Sequence, residues 1–175
     1  MKRKLFTITF LLISGAFAAM AQEVAFEEYD LSNGMHVILH QDNSAPVVTT
    51  SVMYHVGSKD ENPERTGFAH FFEHLLFEGT PNIARGEWFK IVSANGGSNN
   101  ANTTQDRTYY YEVFPSNNME LGLWMESERL LHPIINQIGV DTQSEVVKEE
   151  KRQRVDNAAY GGLIYGTAIQ PYLFN

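Results

Sequence analysis

The segment 67–77 constrains the fold of this chain more than any other part of its sequence. Apart from Gly67, its residues are all apolar except His70, Glu73 and His74. Such an apolar stretch predicts a buried helix over residues 66–77, which the following Gly79-Thr80-Pro81 brings to an end. Buried imidazoles and a buried carboxylate need polar partners. The segment therefore predicts a helix that carries a polar site into the protein interior.

The spacing of the two histidines suits a metal ion. His70 and His74 are four residues apart, so on a helix they project from the same face, one turn apart. Two such imidazoles can bind one Zn²⁺ at about 2.0–2.1 Å. Glu73 lies on an adjoining stripe, where it can reach a metal-bound water without being a ligand. The order His-x-x-Glu-His is the motif of the inverted zinc peptidases. The alternative is two core histidines bonded to the backbone, with Glu73 paired to a neighbouring base.

A catalytic zinc site needs a third protein ligand. The chain contains no cysteine, so this ligand must be His, Asp or Glu. The acidic segment around Glu149 and Glu150 supplies candidates. By helical phase Glu150 projects beside Val146 and Val147, whereas Glu149 lies about 100° away on the charged side. Glu150 is therefore the better candidate for the third ligand, and Glu149 stays as the second candidate. The alternative is that neither binds a metal and both lie on a solvated, charged helix face.

The other elements are mixed without strict βαβ alternation, which predicts an α+β fold with an antiparallel or mixed sheet packed with helices. Trp88 and Trp124 are expected on the core faces of their helices, and the tyrosines 109–111 on a half-buried strand. In the helix beginning at Thr142, that residue and Glu145 are spaced as a capping box. The expected strands are 26–31, 35–40, 47–56 and 107–114, and the expected helices are 66–77, 84–94, 117–131 and 142–155.

The segment 98–104 is polar and follows two glycines, so it would make a poor central strand. It predicts an exposed sheet edge that can pair with a peptide backbone. The candidate substrate-binding residues in it are Asn100, Ala101, Asn102 and Thr103. The alternative is a flexible surface loop.

The first 21 residues have the pattern of a secretory signal peptide. Three basic residues at 2–4 precede an uncharged apolar run, and Ala19-Met20-Ala21 is a small-x-small cleavage signal before Gln22. A membrane anchor is the alternative, but the run is shorter than the ~20 residues of a span and no stop-transfer segment follows. We therefore expect an exported bacterial protein, periplasmic or secreted, whose domain comprises residues 22–175 and has no stable membrane span once the signal peptide is removed.

The charge of the chain limits its partners. The sequence has 13 basic and 21 acidic residues, a formal net charge of -8. Residues 1–21 contain three of the basic residues and no acidic one. Without them the chain has ten basic and 21 acidic residues, a net charge of -11. This balance leaves no basic footprint, so it argues against a nucleic-acid-binding protein.

The motifs together resemble a known family. His70-Phe71-Phe72-Glu73-His74, followed by 75 residues and then Glu150, is similar to the pitrilysin/insulinase family of zinc peptidases, M16. The resemblance covers roughly residues 26–157. In its overall sequence pattern the chain is most similar to the bacterial members that resemble mitochondrial processing peptidase. Further matching blocks are Gly57-Ser58, Gly67-Phe68-Ala69-His70, Glu78-Gly79-Thr80, Gly96-Gly97, Asn100-Ala101 and Val146-Val147-Lys148-Glu149-Glu150.

The resemblance implies roles for these residues. His70, His74 and Glu150 would bind one Zn²⁺, and Glu73 would be the general base that takes a proton from a zinc-bound water during peptide-bond hydrolysis. The edge segment with Asn100-Ala101 would hold the substrate. One position departs from the pattern: many members have a second glutamate seven residues before the ligand glutamate, where this chain has Gln143. Glutamine can still hydrogen-bond to a ligand but carries no charge.

The resemblance also implies partners. Family members work as two homologous halves, each somewhat longer than this chain, that close around a peptide or small protein substrate. The sequence holds one metal motif and no downstream half, so we expect a truncated gene product, a fragment or one half of a two-chain enzyme. A non-catalytic, processing-peptidase-like subunit and an inactive zinc-binding fragment are the alternatives.

Overall fold

The computed structural model describes residues 24–160, and its elements are of the expected α+β class. The expected signal peptide, residues 1–21, lies outside the described residues. Two compact units are present. In the first, strands β1 (Glu27–Asp30) and β2 (His36–Leu39) form an antiparallel hairpin with Glu27 opposite Leu39.

The second unit begins at Pro46 and contains a three-stranded antiparallel sheet. Its strands are β3 (Val47–Tyr54), β4 (Ser98–Thr103) and β5 (Thr108–Pro115), in the order β3-β5-β4. The segment predicted as a sheet edge, β4, therefore lies at an edge of this sheet, with Ala101 opposite Tyr110. Along the described part of the chain, no strand pairs with the outer side of β4.

Four α-helices accompany this sheet in the described residues. Helix α4 packs against α1, and α3 packs against β3 and β5. The helices are α1 (Phe68–Leu75), α2 (Trp88–Ala94), α3 (Met119–Leu131) and α4 (Gln137–Lys151). A short π-helical turn, Arg152–Asp156, continues α4. None of the helices in residues 24–160 has the length and apolar character required to cross a bilayer.

The apolar core of the second unit lies between α2, α3 and β5. Trp88 is fully buried there, as predicted, in a cluster with Ile83, Val92, Phe114 and Met125. The prediction for Trp124 was wrong, because this side chain is 39% exposed. Helix α3 instead turns Gly122, Met125, Glu126 and Arg129 inward.

A buried charged cluster extends this core. The Arg129 side chain is fully buried and donates to Glu112 at 2.9 Å and to Glu126 at 3.1 Å. Its guanidinium carbon also lies 4.1 Å from the ring centre of Trp88 and 4.3 Å from that of Tyr110. Arg129 further donates to the Leu76 carbonyl at the end of α1. This cluster therefore fixes the end of the helix that carries the two histidines.

Two helices begin at other residues than predicted. Helix α4 begins at Gln137, five residues before the expected start, because the Asn136 side chain accepts a hydrogen bond from the Gly139 amide and caps the helix there. The expected capping box is therefore wrong: Thr142 lies inside the helix and donates to the Ile138 carbonyl. Helix α2 begins at Trp88 and not at residue 84.

Candidate metal centre

The first turn of α1 is held from outside the helix. Gly67, at its N-cap, has φ 96°, a left-handed conformation that glycine adopts without strain. The two carboxylate oxygens of Glu61 accept hydrogen bonds from the amides of Gly67 and Ala69, each at 2.7 Å. An acidic group at this end also interacts favourably with the helix dipole. Sequence analysis did not identify this cap, since Glu61 lies six residues before Gly67 and not at the N-cap itself.

The structure brings the three predicted metal ligands together. The Nε2 atoms of His70 and His74 are 3.3 Å apart. Glu150 places Oε2 3.6 Å from the His70 Nε2 and Oε1 3.6 Å from the His74 Nε2. All three side chains are partly buried and together form a group with the geometry to hold one metal ion.

These separations fit tetrahedral zinc. Two ligands at about 2.0–2.1 Å from zinc, at the tetrahedral angle, lie about 3.3–3.4 Å from each other. The separation of the two imidazole nitrogens matches this value, and each nitrogen lies only slightly farther from one of the two Glu150 oxygens. Two imidazoles and one carboxylate also form the donor set of known catalytic zinc sites, which leaves a fourth position open. The residues present therefore fit the ion that the motif implies.

The electrostatics of the site favour a neutral imidazole at His70. Burial lowers its pKa below the usual value, and the neighbouring His74 lowers it further. The carboxylates of Glu73 and Glu150 raise the pKa of His70, but the net effect of all neighbours is a lower pKa. A neutral imidazole has the lone pair that a metal ion requires.

The structure distinguishes the two candidate glutamates. Glu150 faces the histidines, whereas Glu149 points to solvent and forms an ion pair with Arg152. The expected burial of Val146 was wrong, since this side chain is 39% exposed. The partly buried stripe of α4 contains residues 143, 147 and 150 at spacings of four and three.

Glu73 lies beside the histidines and is 8% exposed. One of its carboxylate oxygens accepts a hydrogen bond from the Thr103 hydroxyl on β4. Its backbone carbonyl accepts one from the buried Tyr110 hydroxyl on β5 at 3.3 Å. Thr103, a predicted substrate-binding residue, also lines the cavity, and its side chain orients Glu73. The sequence offers no signal for this contact, because thirty residues separate the two positions.

A cavity of about 260 Å³ connects these groups with the sheet edge. Asn100, Ala101, Asn102 and Thr103 on β4 line one side of it, and the three candidate ligands and Glu73 line the other. Asn100 is exposed, and its side chain accepts a hydrogen bond from the Ala101 amide. All eight predicted site residues thus lie around one cavity.

Gln143 also reaches this site. Its side-chain oxygen lies 3.2 Å from the Nδ1 of His74, and its nitrogen donates to Glu78 at 2.6 Å. The residue at the position where the sequence departs from the family pattern therefore still contacts a candidate ligand.

Comparison with known proteins agrees with this geometry. The sequence profile of the insulinase family, peptidase family M16, matches residues 36–164. The chain is 33% identical to a protein named zinc protease PqqE from Helicobacter pylori over 150 residues, which are 85% of this chain and 34% of that protein. It is 30% identical to human insulin-degrading enzyme over 132 residues, 75% of this chain and 13% of that enzyme.

A solved structure shares the fold. The crystal structure of a protease from Helicobacter pylori superposes with a TM-score of 0.77 at 33% identity, covering 82% of this chain and 34% of that one. The chain thus spans about a third of the length of these bacterial relatives. Because the family profile matches most of the sequence and the fold agrees, the chain belongs to the insulinase family of peptidases, M16.

Proposed function

We propose that this chain is the metal-binding half of a zinc-dependent endopeptidase. The observation that carries the proposal is the convergence of His70, His74 and Glu150 on one point of a cavity that also holds Glu73 and the open edge of β4. The names of its relatives, zinc protease and insulin-degrading enzyme, support peptide hydrolysis as the reaction.

The proposed chemistry assigns separate roles to these residues. A zinc ion, when bound, acidifies a water molecule and polarises the carbonyl of the scissile bond. Glu73 takes the proton of the attacking water and passes it to the departing amine. Its hydrogen bond from Thr103 fixes the carboxylate in the cavity and leaves its other oxygen free to accept that proton. Glu150 contributes negative charge and completes the ligand set.

The open edge of β4 offers a place for the substrate. A sheet edge presents backbone amides and carbonyls that an extended peptide can pair with. We propose that Asn100, Ala101 and Asn102 bind the peptide main chain in this way, which would hold a scissile bond beside Glu73. Main-chain pairing selects an extended conformation and not a particular side chain, so it suits unstructured peptides.

Two further proposals concern the setting of this chain. Because the chain spans about a third of its Helicobacter pylori relatives, we propose that a second, homologous half is needed to enclose the substrate and to stabilise the charge that develops on the carbonyl oxygen. From the charge pattern of residues 1–21 we propose export to the periplasm or the medium.

The proposal is tested by combining zinc binding with peptide cleavage. A library of quenched fluorescent peptides is the substrate, offered to the chain alone and together with its homologous half. Glu73→Gln should leave zinc binding unchanged and lower turnover by at least about 10²-fold. Glu64→Gln, at an exposed glutamate near α1, is the matched control and should keep full activity.

A second pair of variants tests the ligand assignment. Glu150→Gln should weaken zinc binding strongly, whereas Glu149→Gln, one position away on the solvent side, should not. A Glu73→Gln variant with full turnover would refute the proposed mechanism. Zinc binding without cleavage under both conditions would favour a non-catalytic subunit or an inactive zinc-binding fragment.

A further inference from the structure

The Gln143 amide can face His74 in two chemically different orientations, whereas a carboxylate at this position would accept a hydrogen bond with either oxygen. An amide has an acceptor end and a donor end. If the Gln143 oxygen faces His74, it accepts from the Nδ1–H, and the Nε2 of that ring keeps its lone pair. If the amide is reversed, its NH₂ group faces Nδ1, the ring proton moves to Nε2, and Nε2 can no longer bind a metal. The orientation of one amide therefore decides whether His74 is able to act as a ligand.

Glu78 determines that orientation. Its Oε1 accepts a hydrogen bond from the Gln143 nitrogen at 2.6 Å. An ionised carboxylate only accepts, so a reversed amide would set the Gln143 oxygen against it and lose the hydrogen bond. The carboxylate of Glu78 thus fixes which end of the amide faces His74, through one intervening side chain.

Glu78 is itself firmly held. Its side chain is 7% exposed, and its Oε2 forms an ion pair with the Nε of Arg85. Gly139, in the first turn of α4, makes room for it: a Cβ at this position would lie 3.1 Å from both the Cγ and the Oε2 of Glu78. The N-terminal end of a helix also attracts a carboxylate. Gly139 and Gln143 are four residues apart and so lie on the same face of α4. This face leaves space for the Glu78 side chain at Gly139 and offers it the Gln143 amide as a hydrogen-bond donor.

We propose that Glu78 is a positioning residue of the metal site, which orients the Gln143 amide and thereby keeps His74 in the tautomer that leaves Nε2 free for zinc. The inference rests on the proposed zinc site and adds a residue that does not itself touch the metal. It also explains how a neutral glutamine serves at this position, since the negative charge lies one side chain farther out.

The primary test measures the tautomer of His74 directly. In the metal-free protein, at a pH where the ring is neutral, two-bond ¹⁵N–¹H correlation spectra distinguish an Nδ1–H from an Nε2–H imidazole. Wild type should show His74 as the Nδ1–H form. Glu78→Gln should convert a measurable fraction to the Nε2–H form, because Gln143 and Arg85 donate to different oxygens of Glu78 and a glutamine has an oxygen at only one of these two positions. Glu87→Gln, at a glutamate paired with Lys90 in solvent, is the matched control.

Zinc affinity, measured by competition with a chelating dye, is the second readout. Glu78→Gln should weaken binding by about 10-fold or more, within the 10–100-fold range typical of residues that orient a metal ligand. Gln143→Glu alone should also perturb the site, since it sets two carboxylates side by side. The double variant Glu78→Gln/Gln143→Glu exchanges amide and carboxylate, and should restore both the tautomer and the affinity to near wild type.

The two readouts separate this inference from the proposed function. An unchanged tautomer together with zinc affinity within twofold of wild type in Glu78→Gln would overturn the inference and leave the zinc site intact. A double variant no better than the worse single variant would overturn it as well. Failure of wild type to bind zinc would contradict the proposed function, and the tautomer of His74 would still decide the role of Glu78.

Discussion

Replacing Arg129 by methionine should destabilise the second unit far more than the loss of a surface charge. The change leaves the Glu126 carboxylate and the Glu112 carboxyl buried, with side-chain exposures of 5% and 0%, and without the guanidinium that bonds to both. Removing one partner of a buried ion pair costs about 3–5 kcal/mol. Methionine keeps much of the volume and contacts the surrounding aromatic rings through its sulfur, so loss of charge and not a cavity is what the variant measures.

Urea unfolding of the zinc-free chain, followed by circular dichroism, supplies the free energies. Arg152→Met is the matched control, because Arg152 pairs with Glu149 in solvent and its loss should cost about 0–1 kcal/mol. In the Arg129→Met background, Glu126→Gln removes the uncompensated carboxylate and should recover about 1–3 kcal/mol. A cost for Arg129→Met no larger than that for Arg152→Met, or strict additivity with Glu126→Gln, would refute this prediction.

Three further predictions follow from other contacts. Burial raises the pKa of Glu112 to about 8, so the folded chain holds this proton more tightly than the unfolded chain. The free energy of unfolding should therefore fall, on the order of 2–4 kcal/mol, as the pH rises from about 4.5 to about 8, and urea titrations of Glu112→Gln should lack this slope. Thr103→Val removes the hydrogen bond to Glu73 and should lower peptide turnover by about 10-fold at unchanged zinc affinity, as steady-state kinetics and a dye titration would show. Glu61→Ala removes both bonds to the first turn of α1 and should cost about 1–2 kcal/mol in urea unfolding, whereas the exposed Glu64→Ala should cost little.

Local sequence patterns were sufficient to predict the parts of the site that lie on single elements. An apolar helix with histidines at positions i and i+4 fixes where both imidazoles point, whatever packs against it. Helical phase alone favoured Glu150 over Glu149, and that choice agrees with the geometry although Val146 is not buried. Likewise, a polar segment after two glycines makes a poor central strand, and β4 lies at the edge of its sheet.

The contacts that the sequence could not predict join residues far apart in the chain. Thr103 meets Glu73 across thirty positions and Gln143 meets His74 across 69. Buried charge was missed for a related reason: a glutamate or arginine is usually exposed, and only the assembled fold shows that Arg129 is enclosed by two carboxylates and three aromatic rings. The early start of α4 depends on Asn136, whose capping role becomes visible only with its backbone geometry.

The proposed function depends on a zinc ion held by His70, His74 and Glu150. X-ray absorption spectroscopy of the zinc-loaded chain measures the ligands directly. We expect one zinc per chain with two imidazole nitrogens at about 2.0–2.1 Å and with oxygen atoms as the remaining ligands. Glu73→Gln should leave this spectrum unchanged, and Glu150→Gln should alter it. A bound zinc with fewer than two imidazole ligands would contradict this ligand assignment. A spectrum that Glu150→Gln leaves unchanged would contradict it as well.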